Sequence, residues 1–303
     1  MIRSMETLRA SVAGADCRTL AVAVAQDAEV LLAVEAARKL GIAKAILVGD
    51  EALIRQIALE RGISPDNYTI VHEEDKVQAC KRAVGLVRSG EADVVMKGII
   101  DTSVILKAVL DKENGLRDSP VLSHVAAFEV AGFDRMLYVT DAAMNIAPDL
   151  NAKKEILRNA VKVAHALGNP EPIAACLCAV EKVNPKMQAT LDAAALVEAN
   201  QAGEIAGCKV MGPLALDNAI SPAAARHKGI TDPLAGHADI LLVPNIETGN
   251  VFYKSLVFMA GARNAGVIVG AKAPIVLTSR ADSDDAKLNS IALALTIAKG
   301  VNA

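Results

Sequence analysis

The chain has 303 residues, 52% of them hydrophobic and 22% charged, and a formal net charge of -3. That is enough apolar material and length for two domains, and it excludes the strong basic field of a nucleic-acid binder. Trp is absent and aromatic residues make up 2%, which excludes extensive stacking surfaces for bases or sugars and leaves Ala, Val, Leu and Ile to pack parallel sheets covered by helices.

Residues 19–25, TLAVAVA, read as a first strand, 28–40 as a helix stopped by Gly41, and 45–49 as the next strand. This is a β-α-β unit, but the first turn, AQDAEVL, lacks the G-x-G-x-x-G of a dinucleotide site. Asp27 reads as a helix cap in preference to a ligand. A helix over 50–62, a strand over 68–72 and a helix over 75–90 follow. The strand 92–98 ends at Lys97-Gly98, and Asp101 or Thr102 can cap a helix that carries Lys107. Lys97, Gly98, Thr102 and Lys107 thus form a polar strand end. It suits an anion, since glycine admits close backbone approach and lysine supplies charge, and it suits a plain capped helix equally well. The glycines of a P-loop are missing.

Arg117 lies in a loop ahead of a strand that begins near Val121, with Ser123 and His124 at the strand start. A lone histidine there is more often structural than catalytic, although it can orient an acyl or phosphate group. Asp141, Asn145 and Pro148 follow the next strand. A helix over 151–167, capped by Asn151 and stopped by Gly168, leads to PIAACLCAV, whose Cys176 and Cys178 share a strand face and read as a reduced structural pair. Beyond a helix over 186–200 come GPLALDNAIS with Asp217, and a solvated basic group, Arg226, His227 and Lys228. The strand ILLVP then meets a polar turn, NIETGN, and a helix. Asn245, Glu247, Thr248, Gly249, Asn250 and Lys254 make a second polar strand end, where the N–H groups of Gly249 and Asn250 are expected to bind an anion. A third lies at 273–298: Ile275, Val276 and Leu277 form a strand, Ser279 and Arg280 sit at its carboxyl end, and Asp282, Ser283 or Asp284 caps a helix with Leu288, Ile291, Ala292 and Leu295 on one face. No metal-ligand spacing occurs. No charge-free run of 18 apolar residues and no signal-type stretch is found, and the five cysteines make no disulfide framework. The expected location is the cytoplasm, with no membrane or nucleic-acid partner.

PIVLTSRADSDDAKLNSIALA closely resembles the C-terminal signature of phosphate butyryltransferases, within the phosphotransacylase family. GLR…LSHVA, the D-x-x-x-N-x-x-P element at Asp141, GPLALDNAIS and residues 238–271 extend the resemblance to roughly 19–298. It implies an α/β fold of the isocitrate/isopropylmalate dehydrogenase type, with two α/β domains and a cleft between them. The first would comprise 1–140 plus 270–303, and the second, 141–269, would form the cleft wall and a dimer contact. A homodimer or higher homo-oligomer is implied. So is the reaction acyl-CoA + phosphate ⇌ acyl phosphate + CoA, in a ternary complex, with coenzyme A and phosphate as substrates and no tightly bound cofactor.

On the family's pattern Ser279 hydrogen-bonds the oxyanion or the sulfur, Arg280 holds phosphate, and a carboxylate takes the thiol proton. Asp285 is the first candidate for that carboxylate and Asp282 the second. A carboxyl near about 3.9 is a weak base for a thiol near about 8.5, and an adjacent arginine lowers it further, so the site's positive charge shares thiol activation. Acetate-type members carry arginine where Lys107 stands, and Lys97 and Arg117 are expected to compensate. A dehydrogenase of the same fold and a non-catalytic sensor of coenzyme A or acyl phosphate are the competing readings.

Overall fold

The computed structural model describes residues 1–14, 17–277 and 282–301. It contains two compact units, one of residues 5–120 with 265–303, the other of residues 1–4 with 121–264. In chain order the first unit opens with α1 (Met5–Val12), β1 (Arg18–Ala23), α2 (Ala28–Lys39), β2 (Ala43–Gly49), α3 (Glu51–Glu60), β3 (Thr69–His72), α4 (Lys76–Arg88), β4 (Val94–Lys97) and α5 (Thr102–Val109). The second unit holds β5 (Ser123–Glu129), β6 (Leu137–Thr140), α6 (Leu150–Ala166), β7 (Ile173–Leu177), α7 (Gln188–Gln201), β8 (Lys209–Leu214), α8 (Leu216–Ile220), α9 (Pro222–His227), β9 (Ile240–Leu242) and α10 (Ile246–Lys254). β10 (Arg263–Val269) leads back to the first unit, which β11 (Ile275–Val276) and α11 (Asp284–Val301) complete.

In the first unit the strand order is β3-β2-β1-β4-β11-β10. All pairs are parallel except β10 with β11. Alternating strands and helices with short links produce this doubly wound arrangement, and the order reverses between β1 and β4. Residues beyond the carboxyl ends of those two strands therefore edge a natural ligand crevice. The register sets Ala23 opposite Lys97 and Val276 opposite Met96. The strand expected at 275–277 thus lies beside β4.

The second unit is ordered β5-β6-β9-β7-β8, with β5 antiparallel and the others parallel. Its core gathers Phe128, Leu137, Val139, Ala175, Met211 and Leu241. The expected domain boundary at 140/141 differs from the boundary at 120/121. The reason is the β5–β6 hairpin, in which Ala126 faces Val139, so residues 121–140 pack with the strands that follow them. Residues 1–4 join this unit through Ile2, whose N–H donates to Leu167 O at 2.8 Å.

Several helix starts differ by a few residues from the sequence expectation. Asp149, not Asn151, caps α6, accepting from the Ala152 N–H at 2.8 Å. α10 begins at Ile246, so the expected polar turn is the helix's own first turn, and the helix continues into a π-helical turn at Ser255–Met259. α11 is buried on all sides from Ala286 to Ala298, not on one face alone, because it packs on both α1 and α2. Burial pushes the Cys178 thiol up to about 11 and raises that of Cys176 as well. Both are held as neutral thiols.

One buried ion pair ties α6 to α7: Lys153 Nζ donates to Asp192 Oδ2 at 2.5 Å, with side chains 7% and 9% exposed. Gln188 donates to the other carboxylate oxygen at 2.8 Å. Lys153→Met leaves a buried carboxylate without its cation and is expected to cost about 3–5 kcal/mol in urea unfolding, whereas Lys153→Met with Asp192→Leu costs less than that single change.

Candidate active site

In the first unit a cavity of about 470 Å³ opens beyond β1 and β4, bordered by Asp27, Glu29, Lys76, Lys97, Gly98, Asp101 and Lys287. Its floor is a close crossing of two main-chain segments. A Cβ on Gly98 would stand 2.1 Å from Val24 O and 2.6 Å from Ala23 O. The Gly98 and Ile99 N–H groups donate to Ala23 O and Val24 O at 2.8 and 2.9 Å. Gly98 is thus required for backbone packing, and its N–H is spent on β1. Lys97 Nζ folds over the same loop, donating to Gly98 O and Ile100 O at 3.1 Å each.

The carboxylates at this site have separate duties. Asp27 caps α2, accepting from the Val30 N–H at 3.0 Å, as expected of it. Asp101 precedes α5 with no side-chain cap bond of its own. Glu29 accepts from Lys287 Nζ at 2.9 Å. Burial pushes the Lys287 ammonium down, but Glu29 and Asp284 together outweigh it and hold the group above the ordinary lysine range. The bond to Lys287 holds Glu29 below the usual carboxylate range.

Thr102 opens α5 and is exposed. Lys107 is exposed in that helix's last turn and does not border the cavity, so the expected Lys97–Lys107 cluster does not form as a unit. Arg117 forms an isolated antiparallel bridge with Ala271 and has an exposed side chain. Ser279 and Arg280 lie outside the described residues. Asp285 pairs with Arg9 and accepts from Asn289 Nδ2 at 3.0 Å, while Arg9 Nε donates to Asn289 Oδ1 at 2.7 Å. This network fastens α1 to α11 and occupies the first-choice base. Asp282 lies just ahead of α11 and is half-buried.

In the second unit the antiparallel β5 starts at the end where β6 stops, and Thr140 Oγ1 donates to His124 O at 2.8 Å. His124 therefore meets the residues after β6, and its ring lies 6.0 Å from that of Tyr253. Ser123 is fully buried and accepts from Asn159 of α6 at 3.0 Å, which removes it from any ligand surface. The buried Asp141 organises the following turn: it accepts from the N–H groups of Ala143, Met144 and Asn145 at 2.9, 3.0 and 3.3 Å and from Asn145 Nδ2 at 2.6 Å. Asn245 caps α10, accepting from the N–H and hydroxyl of Thr248 at 3.0 and 2.8 Å. The expected anion site at the Gly249 N–H is corrected, since that group donates within the helix to Asn245 O at 3.1 Å. Gly249 instead lets the helix approach the chain after β6, where a Cβ would meet Asp141 O at 2.7 Å. Asn250 and Lys254 are exposed.

Residues 76–295 match the family model described as phosphate acetyl/butaryl transferase. The chain belongs to this family. It is 52% identical to the phosphate butyryltransferase of Clostridium acetobutylicum over 298 residues, 98% of this chain and 99% of the relative. Among solved structures, a branched-chain phosphotransacylase from Enterococcus faecalis V583 superimposes with a TM-score of 0.83 at 37% identity, covering 93% of this chain and 99% of that one. A 4-hydroxythreonine-4-phosphate dehydrogenase from Klebsiella pneumoniae has a TM-score of 0.60 at 14% identity, covering 93% and 99%, and bears out the dehydrogenase-like α/β fold.

Within this family member, the sequence reading missed Lys76, Glu29 and Lys287 at the cavity. Lys287 carried a signal: it stands four residues before Ile291, on the helix face assigned to the core. Lys76 and Glu29 carried none, being first-turn helix charges of an ordinary kind. Gly98→Ala forces a Cβ into the Val24 carbonyl. It is expected to lower stability by about 1–3 kcal/mol in urea unfolding and to reduce turnover, whereas Gly90→Ala, where a Cβ meets open space but the φ of 84° disfavours it, costs only about 1 kcal/mol and leaves turnover unchanged.

Proposed function

We propose that the chain catalyses reversible transfer of a short-chain acyl group, butyryl or branched, between coenzyme A and inorganic phosphate. The observation that carries this reading is the near full-length likeness to a phosphate butyryltransferase. The likeness to a branched-chain phosphotransacylase favours a butyryl or branched substrate over acetyl. Both substrates react in one ternary complex. A phosphate oxygen attacks the thioester carbonyl, the tetrahedral oxyanion collapses, and the coenzyme A thiolate leaves and is protonated. In reverse the thiol gives up its proton and the thiolate attacks acyl phosphate.

Ser279 donates to the oxyanion or the sulfur, and Arg280 grips phosphate with its planar fork. Lys97 adds positive charge from the end of β4. Asp282 exchanges the thiol proton; this choice over Asp285 is supported by Asp285's engagement with Arg9 and Asn289. Asn250 and Lys254 are proposed contacts for coenzyme A. The enzyme works in the cytoplasm as a homodimer or higher homo-oligomer, without a tightly bound cofactor.

The test is thiol release from butyryl-CoA and acetyl-CoA, with and without phosphate. Release is expected to depend on phosphate, to be faster with butyryl-CoA, and to fall about 100-fold or more in Arg280→Ala. Absence of phosphate-dependent release from either thioester ends the reading. Asp282→Asn is expected to lower kcat by about 100-fold or more, while Asp285→Asn chiefly lowers the melting temperature. The reverse order would return the base role to Asp285.

A further inference from the structure

Lys287 is a buried cation whose ion-pair partners reach solvent. Its side chain is 3% exposed, whereas its partners Glu29 and Asp284 are 52% and 83% exposed. The ammonium has given up most of its hydration, whereas its partners have kept much of theirs. Packing does not ask for a lysine here either, since Ala286, Leu288 and Ile291 around it are buried and apolar. It borders the cavity of about 470 Å³ that Lys76 and Lys97 also border.

Three lysines from three elements thus border one cavity beyond β1 and β4, where the strand order reverses. Of the three carboxylates that border it, Asp27 is engaged as the α2 cap, Glu29 is held by Lys287 itself, and Asp101 precedes α5 without a side-chain cap bond. β11 and α11 flank the four residues 278–281 in sequence, with Val276 opposite Met96 at one side and Lys287 on the helix at the other. Lys287 therefore belongs to the segment that leads out of Ser279 and Arg280, and Lys97 to the strand paired with the segment that leads into them.

We infer that Lys287 is a phosphate-holding residue of this site, sharing or exchanging its bond to Glu29 for one to a phosphate oxygen when substrate enters the cavity. The inference rests on the acyl-transfer reading. An ammonium has three donors and rotates freely, so it can keep a carboxylate and reach a second oxyanion. The ligand chemistry is a multiply charged phosphate group, supplied either by the free phosphate substrate or by the phosphates of coenzyme A.

The experiment compares wild type with Lys287→Met, Lys287→Arg and Glu29→Gln. Phosphate-dependent thiol release is measured with KM for inorganic phosphate and for butyryl-CoA determined separately. Thermal melts are run with and without inorganic phosphate and with and without coenzyme A. Lys287→Met is expected to raise one of the two KM values about tenfold or more, Lys287→Arg to change it less, and Glu29→Gln, which keeps the ammonium, to leave it near wild type. A rise for phosphate identifies the free substrate as the ligand; a rise for butyryl-CoA identifies the coenzyme's phosphates.

If both KM values stay unchanged in Lys287→Met, or if Glu29→Gln reproduces its effects, Lys287 is only a tie between α2 and α11 and the inference falls. Should Lys287→Met fail to fold, Lys287→Arg and Glu29→Gln decide: a KM change confined to the arginine variant supports the role, and equal effects overturn it. If wild type shows no phosphate-dependent release, it is the acyl-transfer reading that has failed. A melting rise with phosphate or coenzyme A in wild type but not in the Lys287 variants would then still support the residue's role, and no such rise would overturn it.

Discussion

At the carboxyl ends of β1 and β4 two main-chain segments cross so closely that residue 98 has no room for a side chain. The N–H groups of Gly98 and Ile99 bond the carbonyls of Ala23 and Val24, while Lys97 folds back over the loop. This crossing fixes where β4 releases the chain and keeps the start of α5 beside the start of α2. Because β11 pairs with β4 on its other side, it also fixes where the chain departs toward Ser279 and Arg280. The cavity is a consequence of strand order: helices that leave β1 and β4 in opposite directions cannot both cover the point between them.

The second unit solves a similar problem with a carboxylate. Asp141, buried behind β6, gathers three main-chain N–H groups and the Asn145 amide, so a tight turn forms without helix or sheet. Main-chain donors in such a turn need partners, and the two oxygens of one carboxyl group serve several at once. α10 then lies against this turn because Gly249 removes the Cβ that would block it. Asn245 and Thr248, polar residues of the kind that bind ligands, are used to start that helix.

Two lysines illustrate how burial separates structure from chemistry. Lys153 is enclosed together with Asp192, whose second oxygen is also bonded, so the pair is complete within the fold. Lys287 is enclosed while its carboxylate partners reach solvent, and it borders a cavity. The first arrangement leaves no place for a ligand. The second leaves the cation at the wall of a space that an anion can enter.

The alternation of apolar strands and capped helices was readable from residue order alone, because periods of two and 3.6 are local properties, and so were the cap at Asp27 and the strand ends at Lys97 and before Ser279. The signature around Ser279 and Arg280 also carried the family. Other features depended on packing between distant segments. Ser123 looked like a ligand residue until Asn159, 36 positions away, was seen to take its hydroxyl. Asp285 reads as a base from its place in the signature, and only the fold shows that Arg9, 276 positions away, pairs with it. The N–H of Gly249 looked open to an anion only while α10 was thought to begin later. The unit boundary moved to 120/121 because β5 pairs with β6. Sequence states which side chains are polar and near a strand end; which remain available to a ligand is decided only when the fold has consumed the hydrogen bonds it needs, since a buried donor or acceptor takes its partner from whatever segment packs against it.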